Sequence, residues 1–274
     1  MSGHEAVDSR LGIVGAGKIG TAVARAAVAS GYDVAISGSG AAERIELIVD
    51  VLAPGAHAVT TDDVVRHAAL VVLAVPMHRF RELPRDLFAG KILVDAMNYW
   101  EEVDGIDEEL ATAPFGTSIV VQQRFSSSRV VKSLNHLGYF KFEQGRRPRG
   151  APGRLSIAAA GDDPVAVAEV MQLIDRLGFD AVDAGSLTAG LALEPGWSVF
   201  GISHNHAGLS NLLRSEASPA SPREIDVGAR PGPRSREACT AHEPRTIAEC
   251  AHEETNLPDA EGRRNEKMIA HQVR

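Results

Sequence analysis

The sequence has little cysteine and no long apolar run. Only 2 of its 274 residues are cysteine, Cys239 and Cys250, and both stand far from the amino-terminal half. This scarcity excludes a disulfide framework and a cysteine nucleophile for the main part of the chain. No segment approaches the roughly 20 consecutive apolar residues that a membrane-spanning helix requires. Residues 1–10 are polar and lack the apolar core of a signal peptide, so we expect a cytoplasmic protein without membrane contacts.

Positive charge is also scarce. The formal net charge is -8 at pH 7, because 36 acidic residues outnumber 28 lysines and arginines. A general nucleic-acid-binding protein needs a basic surface, so we expect no nucleic-acid partner. The hydrophobic content of 44% is ordinary for a globular protein, and the length of 274 residues suits one large or two modest domains.

The most informative feature that is present is a glycine-rich loop near the amino terminus. Residues 11–14 form an apolar run typical of a buried strand, residues 15–20 read Gly-Ala-Gly-Lys-Ile-Gly, and an alanine-rich helical stretch follows. In this order the pattern predicts a dinucleotide-binding loop. Gly15 permits a tight turn, Gly17 lets backbone amides approach a pyrophosphate, and Gly20 lets the helix lie close to the strand. The alternative is an ordinary strand-to-helix turn.

Apolar runs and helical segments then alternate along the chain. Strands are expected near residues 33–36, 56–59, 69–75, 91–96, 130–134, 154–160 and 179–182. This alternation predicts an α/β fold with a doubly wound, mostly parallel Rossmann sheet, a small C-terminal lobe and a tail. We expect an NAD(P)-binding Rossmann domain over residues 9–137 and a small lobe covering the cleft over 138–203. Residues 204–274 are expected to be a polar, disordered tail, because breakers and mixed charge leave no apolar face.

The end of the second predicted strand bears on the choice of cofactor. An NAD-selective site commonly has an acidic residue there, whereas this chain has Ser37 and Ser39, with Arg44 shortly after. Hydroxyl groups and an arginine suit a 2′-phosphate, which favours NADP over NAD. The alternative is that these are solvated turn residues.

Two further loops are expected to line the same cleft, because ligands bind at the carboxyl ends of parallel strands. Asn98 follows the fifth predicted strand and is a candidate for bonding the ribose or the nicotinamide amide. His78, Asn135 and His136 are weak catalytic candidates, and a polar loop without a catalytic role is the competing interpretation for each. The residues expected to contact the cofactor are Gly15, Gly17, Lys18, Ile19, Gly20, Ser37, Ser39, Arg44, Val75, Pro76, Met77 and Asn98.

The carboxyl-terminal tail contains a further pattern of soft ligands. Cys239 and His242 form one pair, and Cys250 and His252 form another. Zinc ligands normally come as closely spaced pairs within compact elements, but here the second pair is too tight. We therefore expect no metal.

Several of these segments, taken in order, resemble the NADP oxidoreductases that depend on the deazaflavin coenzyme F-420. The resemblance extends from about residue 11 to residue 201 and excludes the tail. Members of that family often have arginine at the position of Ser39, which is a departure in this chain. The matching segments are residues 15–20, the serine-rich end of the second strand, 73–76, 94–98, 130–135, 160–163 and 177–185.

This resemblance implies an NADP(H)-dependent oxidoreductase that passes a hydride between nicotinamide and a deazaflavin or similar acceptor. Such a transfer depends on positioning the two rings and excluding water, so it implies no specific catalytic side chain. The alternatives are a reductase acting on a flavin, an imine or a ketone, and a non-catalytic dinucleotide-binding sensor or scaffold. The expected partner is a small redox molecule, and a homodimer is an open alternative for the assembly.

Overall fold

A computed structural model describes residues 9–217, in which the strands are arranged in one mixed sheet. The strands are β1 (Arg10–Val14), β2 (Asp33–Ser37), β3 (His57–Ala58), β4 (Leu70–Leu73), β5 (Ile92–Asp95), β6 (Arg129–Ser133), β7 (Ser156–Gly161) and β8 (Asp180–Gly185). The helices are α1 (Lys18–Val28), α2 (Glu46–Leu52), α3 (Thr61–His67), α4 (Glu101–Asp104), α5 (Glu108–Ala111), α6 (Thr117–Arg124), α7 (Lys141–Gln144), α8 (Pro164–Arg176) and α9 (His206–Ala217).

The sheet confirms the predicted mostly parallel α/β arrangement. Its strand order is β3-β2-β1-β4-β5-β6-β7-β8, and the β6–β7 pair alone is antiparallel within this sheet. The glycine-rich turn therefore stands at the carboxyl end of β1, between the ends of β2 and β4. Strands β7 and β8 extend the same sheet, so the two predicted ranges 9–137 and 138–203 share one continuous sheet. Their separation into two domains stays a prediction.

Both faces of the sheet are covered, which explains the long apolar runs of the strands. Leu11 and Ile13 of β1 point into a cluster formed with α1, α2 and α8. Val14 points to the opposite face, where the side chains of α3 and α6 pack against it. On that second face, Gly12 lets α3 lie close to β1, because a Cβ at this position would lie only 2.8 Å from Cγ1 of Val64.

The predicted start of the disordered tail at residue 204 is wrong. Helix α9 begins at His206, and Leu209 and Leu213 are buried in a cluster with Val182 of β8 and Val199. Leu212 and Leu213 follow Leu209 by three and four positions, which is the helical spacing of an apolar face. Neighbouring breakers in the sequence obscured that spacing.

No helix within residues 9–217 is long and apolar enough to cross a membrane. The same residues contain no cluster of three or more potential histidine, cysteine or acidic metal ligands. The cysteine and histidine pairs between Cys239 and His252, and the rest of the predicted tail after residue 217, lie outside the described residues.

Two side chains complete the ladder between β6 and β7 where the backbone pairing ends. Ser133 donates from its hydroxyl to the carbonyl oxygen of Ala158 at 2.7 Å, and the amide of Ala158 donates to Nε2 of His136 at 3.0 Å. His136 is 2% exposed. Its Nε2 accepts a hydrogen bond, so the folded ring is the neutral form with its proton on Nδ1.

Burial, together with a smaller contribution from the neighbouring His204, lowers the pKa of His136 from 6.5 to about 4. An unfolded chain binds a proton at this ring near pH 6.5, whereas the folded chain resists it until about pH 4. The unfolded state therefore holds more protons between these values. Stability from this residue is complete above pH 6.5 and is lost as the pH falls toward 4.

We expect His136→Gln to reduce the loss of unfolding free energy below pH 6.5. Glutamine offers an acceptor oxygen to the amide of Ala158 but does not titrate. In the native chain this loss amounts to on the order of 3 kcal/mol. Urea unfolding at pH 7 and pH 5 measures, for each protein, the part of this loss that falls between those two pH values. His67→Gln is the matched control, since His67 is bonded at 3.1 Å to a carbonyl oxygen at the start of β2. An equal pH slope in the His136 variant and the native chain would contradict the assignment.

Candidate functional site

The turn between β1 and α1 has room for glycine alone at two positions. Gly15 has a φ of +119°, and a Cβ there would lie 2.3 Å from the carbonyl oxygen of Ala74. A Cβ on Gly20 would lie 1.8 Å from the carbonyl oxygen of Gly15. The amide of Gly15 donates to the carbonyl oxygen of Ser37 at 2.8 Å. The turn is therefore fixed against the ends of both β2 and β4.

Gly17 differs from these two because the space around it is open. It is exposed, and a Cβ there would meet no atom within 4 Å. It is the N-cap of α1, whose first turn is not capped by a side chain from the described residues. The first amides of an α-helix have no partner within the helix. Exposed amides, the positive end of the helix dipole and an open approach fit a pyrophosphate group.

The two residues between the glycines play different parts. Lys18 is exposed, and its Nζ lies 5.5 Å from the ring centroid of Tyr139, which follows β6. Ile19 is half-buried and packs against the core cluster under α1. Only the backbone of Ile19 is therefore placed to meet a ligand, whereas Lys18 offers a charge beside the open turn.

The serines at the end of β2 are placed differently from each other. Ser37 is fully buried, and its hydroxyl is bonded to the hydroxyl of Thr61 at 3.1 Å. Its side chain therefore does not face a ligand. Ser39 and Arg44 are both exposed, and Nη1 of Arg44 lies 3.4 Å from the position that a Cβ on Gly40 would take. The segment after β2 thus exposes both a hydroxyl group and a guanidinium.

The loop after β4 presents alternate residues to the core and to solvent. Val75 is half-buried and Pro76 is exposed, whereas Met77 is fully buried in the core cluster on the α3 face. Met77 therefore supports the loop from below. His78 is exposed, and its backbone amide and Nδ1 both bond Oδ1 of Asp104, at 3.0 Å and 2.8 Å.

Asn98 and Asn135 bond each other across the carboxyl ends of β5 and β6. Nδ2 of Asn135 donates to Oδ1 of Asn98 at 3.0 Å, and Nδ2 of Asn98 donates to the carbonyl oxygen of Asn135 at 3.0 Å. Asn135 also donates to the carbonyl oxygen of Leu193 at 2.7 Å and is 3% exposed. Asn98 is half-buried, so the structure brings it to the cleft edge and keeps Asn135 beneath it.

An ion pair beneath these amides holds the loop after β5. Lys132 and Asp95 are both fully buried, with Nζ 3.3 Å from Oδ2. Nζ of Lys132 also donates to the carbonyl oxygen of Met97 at 2.7 Å, and Asp95 accepts from the amide of Met97 at 3.0 Å. The hydroxyl of Ser118 donates to Asp95 at 2.6 Å. Both peptide groups of Met97, the residue before Asn98, are thus fixed.

Sequence reasoning missed three residues of this arrangement. Asp95 and Lys132 had a signal, because each is a charge near the carboxyl end of an apolar strand, where burial requires a partner. Asp104, which accepts from His78, had none, because it lies in an acidic run typical of a solvated surface. Of the catalytic candidates, His136 and Asn135 are buried. Only His78 of these three is exposed at the carboxyl edge of the sheet.

A family model described as NADP oxidoreductase, coenzyme F-420-dependent, matches residues 10–99 of this chain. The curated protein YjhV of Escherichia coli (strain K12) is 42% identical over 53 residues, and the match spans 19% of this chain and 39% of that relative. Less than two thirds of the relative's length is therefore represented here.

Two crystal structures resemble the described fold. One, of a hypothetical protein from Sinorhizobium meliloti, has a TM-score of 0.62 at 24% identity and covers 74% of this chain and 97% of its own. The other, provisionally described as an F-420-dependent NADP reductase from Arthrobacter sp. FB24, has a TM-score of 0.55 at 26% identity and covers 67% and 87%. The first shows the shared fold. The resemblance to the coenzyme F-420-dependent NADP oxidoreductases is thus confirmed, with the family model matching residues 10–99.

Proposed function

We propose that this chain is an NADP(H)-dependent oxidoreductase that transfers a hydride between nicotinamide and a deazaflavin acceptor of the coenzyme F-420 type. The comparisons indicate an NAD(P)-dependent oxidoreductase. The observation that carries the proposal is the open, uncapped turn at Gly17, which adjoins an exposed hydroxyl and guanidinium at the end of β2.

The residues at this edge fit a phosphorylated dinucleotide. The turn of Gly15, Gly17 and Gly20, with the backbone of Lys18 and Ile19, would hold the pyrophosphate. Ser39 and Arg44 would hold a 2′-phosphate, since hydroxyl and guanidinium groups donate hydrogen bonds to phosphate oxygens. Val75, Pro76 and Asn98 border the next part of the edge and would meet the ribose and nicotinamide. When bound, NADPH supplies the hydride.

Aromatic side chains beside this edge suit a planar acceptor. Trp100 is 43% exposed and Tyr139 is 45% exposed, although aromatic residues make up only 5% of the sequence. Trp100 contacts Phe200 edge to face, with ring centroids 5.8 Å apart. Exposed rings offer a stacking surface for a conjugated ring system, and positioning two rings face to face is the main requirement of hydride transfer.

Gly17→Asp is expected to abolish dinucleotide binding without unfolding the chain. The open space around this residue accommodates a side chain, and the added carboxylate would repel the pyrophosphate. The thermal shift on adding NADPH is the measurement. Gly17→Ala is the control, because it adds the Cβ without the charge and should retain part of the shift. A full shift in Gly17→Asp would remove the pyrophosphate from this turn.

Ser39→Asp is expected to lower the affinity for NADPH about tenfold relative to NADH, because a carboxylate beside the 2′-phosphate is repulsive. We expect the native chain to bind NADPH more tightly than NADH. Titrating both cofactors by protein fluorescence measures the ratio of dissociation constants. Ser127→Asp is the matched control, since Ser127 is exposed near the amino end of β6. Equal affinities for NADPH and NADH in the native chain would contradict a 2′-phosphate site here.

The reaction itself is tested with NADPH carrying deuterium at nicotinamide C4 and with coenzyme F-420 as the acceptor. Direct transfer predicts that the label appears on the reduced acceptor carbon, because the hydride does not exchange with water. Hydrogen from solvent at that carbon would exclude direct transfer. Turnover only with a flavin, an imine or a ketone would replace the deazaflavin, and no turnover with any of them would favour a dinucleotide sensor.

A further inference from the structure

A histidine and an aspartate join the two loops beside the open turn. His78 lies in the turn after β4, and Asp104 is the last residue of α4 after β5. Nδ1 of His78 lies 2.8 Å from Oδ1 of Asp104, and the amide of His78 donates to the same oxygen at 3.0 Å. The Asp104 side chain is 2% exposed, whereas that of His78 is 41% exposed.

The position of Asp104 determines which nitrogen of His78 carries a proton in the neutral ring. The carboxylate is itself held, because its Oδ2 accepts from the amide of Trp100 at 2.9 Å. An ionised carboxylate only accepts hydrogen bonds, so Nδ1 of His78 is the donor. Nε2 then has a free lone pair, and no group within residues 9–217 bonds it. A histidine oriented in this way by an aspartate is arranged to exchange protons at Nε2.

The pair stands at the edge proposed to hold nicotinamide. The carbonyl oxygen of Ala74 is the atom that a Cβ on Gly15 would contact, so the loop leading from β4 to His78 abuts the glycine turn. Strands β1, β4 and β5 are neighbours in the sheet. Trp100, whose amide is held by Asp104, presents its exposed ring on the same loop.

Other charges on these elements are directed elsewhere. Arg79 is paired with Glu82 at 2.9 Å. Arg81 binds two acidic residues of the following loop and α5, Asp107 and Glu109, each at 2.5 Å. The remaining acids of α4, Glu101 and Glu102, are exposed. Asp104 is thus the acidic group bonded to His78 among the described residues.

We infer that His78 is the proton donor and acceptor for the hydride acceptor, and that Asp104 is its positioning residue. This rests on the proposed function. Reduction of a conjugated ring system by NADPH adds a hydride to one ring carbon and requires one proton at a ring nitrogen conjugated to it. His78 donates that proton from Nε2 as imidazolium and becomes neutral, while Nδ1–H stays bonded to Asp104. In the reverse direction neutral His78 takes the proton back.

The experiment compares His78→Gln with the native chain, using NADPH and coenzyme F-420. We expect kcat to fall about 100-fold, as is typical for loss of a general acid. The NADPH dissociation constant, measured by protein fluorescence without acceptor, should stay within about twofold, since the proton step is separate from dinucleotide binding. His67→Gln, a histidine paired with Asp33 at the opposite sheet edge, is the matched control and should change neither value.

Four further readouts separate proton transfer from support of the loop. The pH profile of the native reduction rate should contain one ionisation that the profile of His78→Gln lacks. Free imidazole should restore part of the rate of His78→Ala. In the free protein, nitrogen NMR should report the Nδ1–H tautomer for neutral His78. Asp104→Ala should lose that preference, and Asp104→Asn, which keeps one acceptor oxygen, should retain more activity than Asp104→Ala.

The outcomes distinguish this inference from the proposed function. Native turnover together with an unchanged rate and pH profile in His78→Gln would overturn the inference and leave the oxidoreductase in place. Turnover with a different acceptor that still depends on His78 would support the inference and correct the acceptor. Absence of turnover by the native chain with every acceptor would remove both.

Discussion

The loop after β5 is held by charges that lie entirely beneath it. Lys132 and Asp95 are fully buried, and together they bind both peptide groups of Met97. An unpaired charge in this position would cost about 3–5 kcal/mol, so neither residue tolerates loss of the other. The pair fixes where Asn98 and Trp100 emerge, and through Trp100 it fixes the start of α4. The geometry at the cleft edge therefore depends on an ion pair that is closed to solvent.

The parts of the fold that were predictable from sequence are those set by local sterics and periodicity. The apolar runs identify the strands because a parallel strand covered on both faces has no polar side. The spacing of Gly15, Gly17 and Gly20 is equally local, since a turn of this shape excludes a Cβ at the first and last positions and leaves the middle one open. The family resemblance rests partly on these same segments, and the family model matches residues 10–99.

The parts that were not predictable depend on residues far apart in the chain. Ser37 and Ser39 look equivalent in the sequence. The hydroxyl of Ser37, however, is bonded in the core to the hydroxyl of Thr61, which lies 24 positions later. The polar segment around His136 looks like a cleft loop, but β7 pairs antiparallel with β6 and covers it. Whether a polar side chain is buried or faces the cleft thus depends on which strand pairs beside it. The residues next to it in the sequence do not indicate which strand that is.

The same distinction decides how the two substrates are recognised. In the proposed function the dinucleotide would meet backbone amides and a few side chains within residues 10–99, which is the segment that the family model matches. The acceptor would meet Trp100, Tyr139 and Phe200, which come from three separate loops beyond that segment. The family match thus covers the residues proposed to bind the dinucleotide. The residues proposed to bind the acceptor are inferred from their packing in the structure. The His78–Asp104 contact spans this boundary, because its histidine belongs to the matched segment and its aspartate does not. A change of acceptor between relatives is therefore compatible with an unchanged dinucleotide turn.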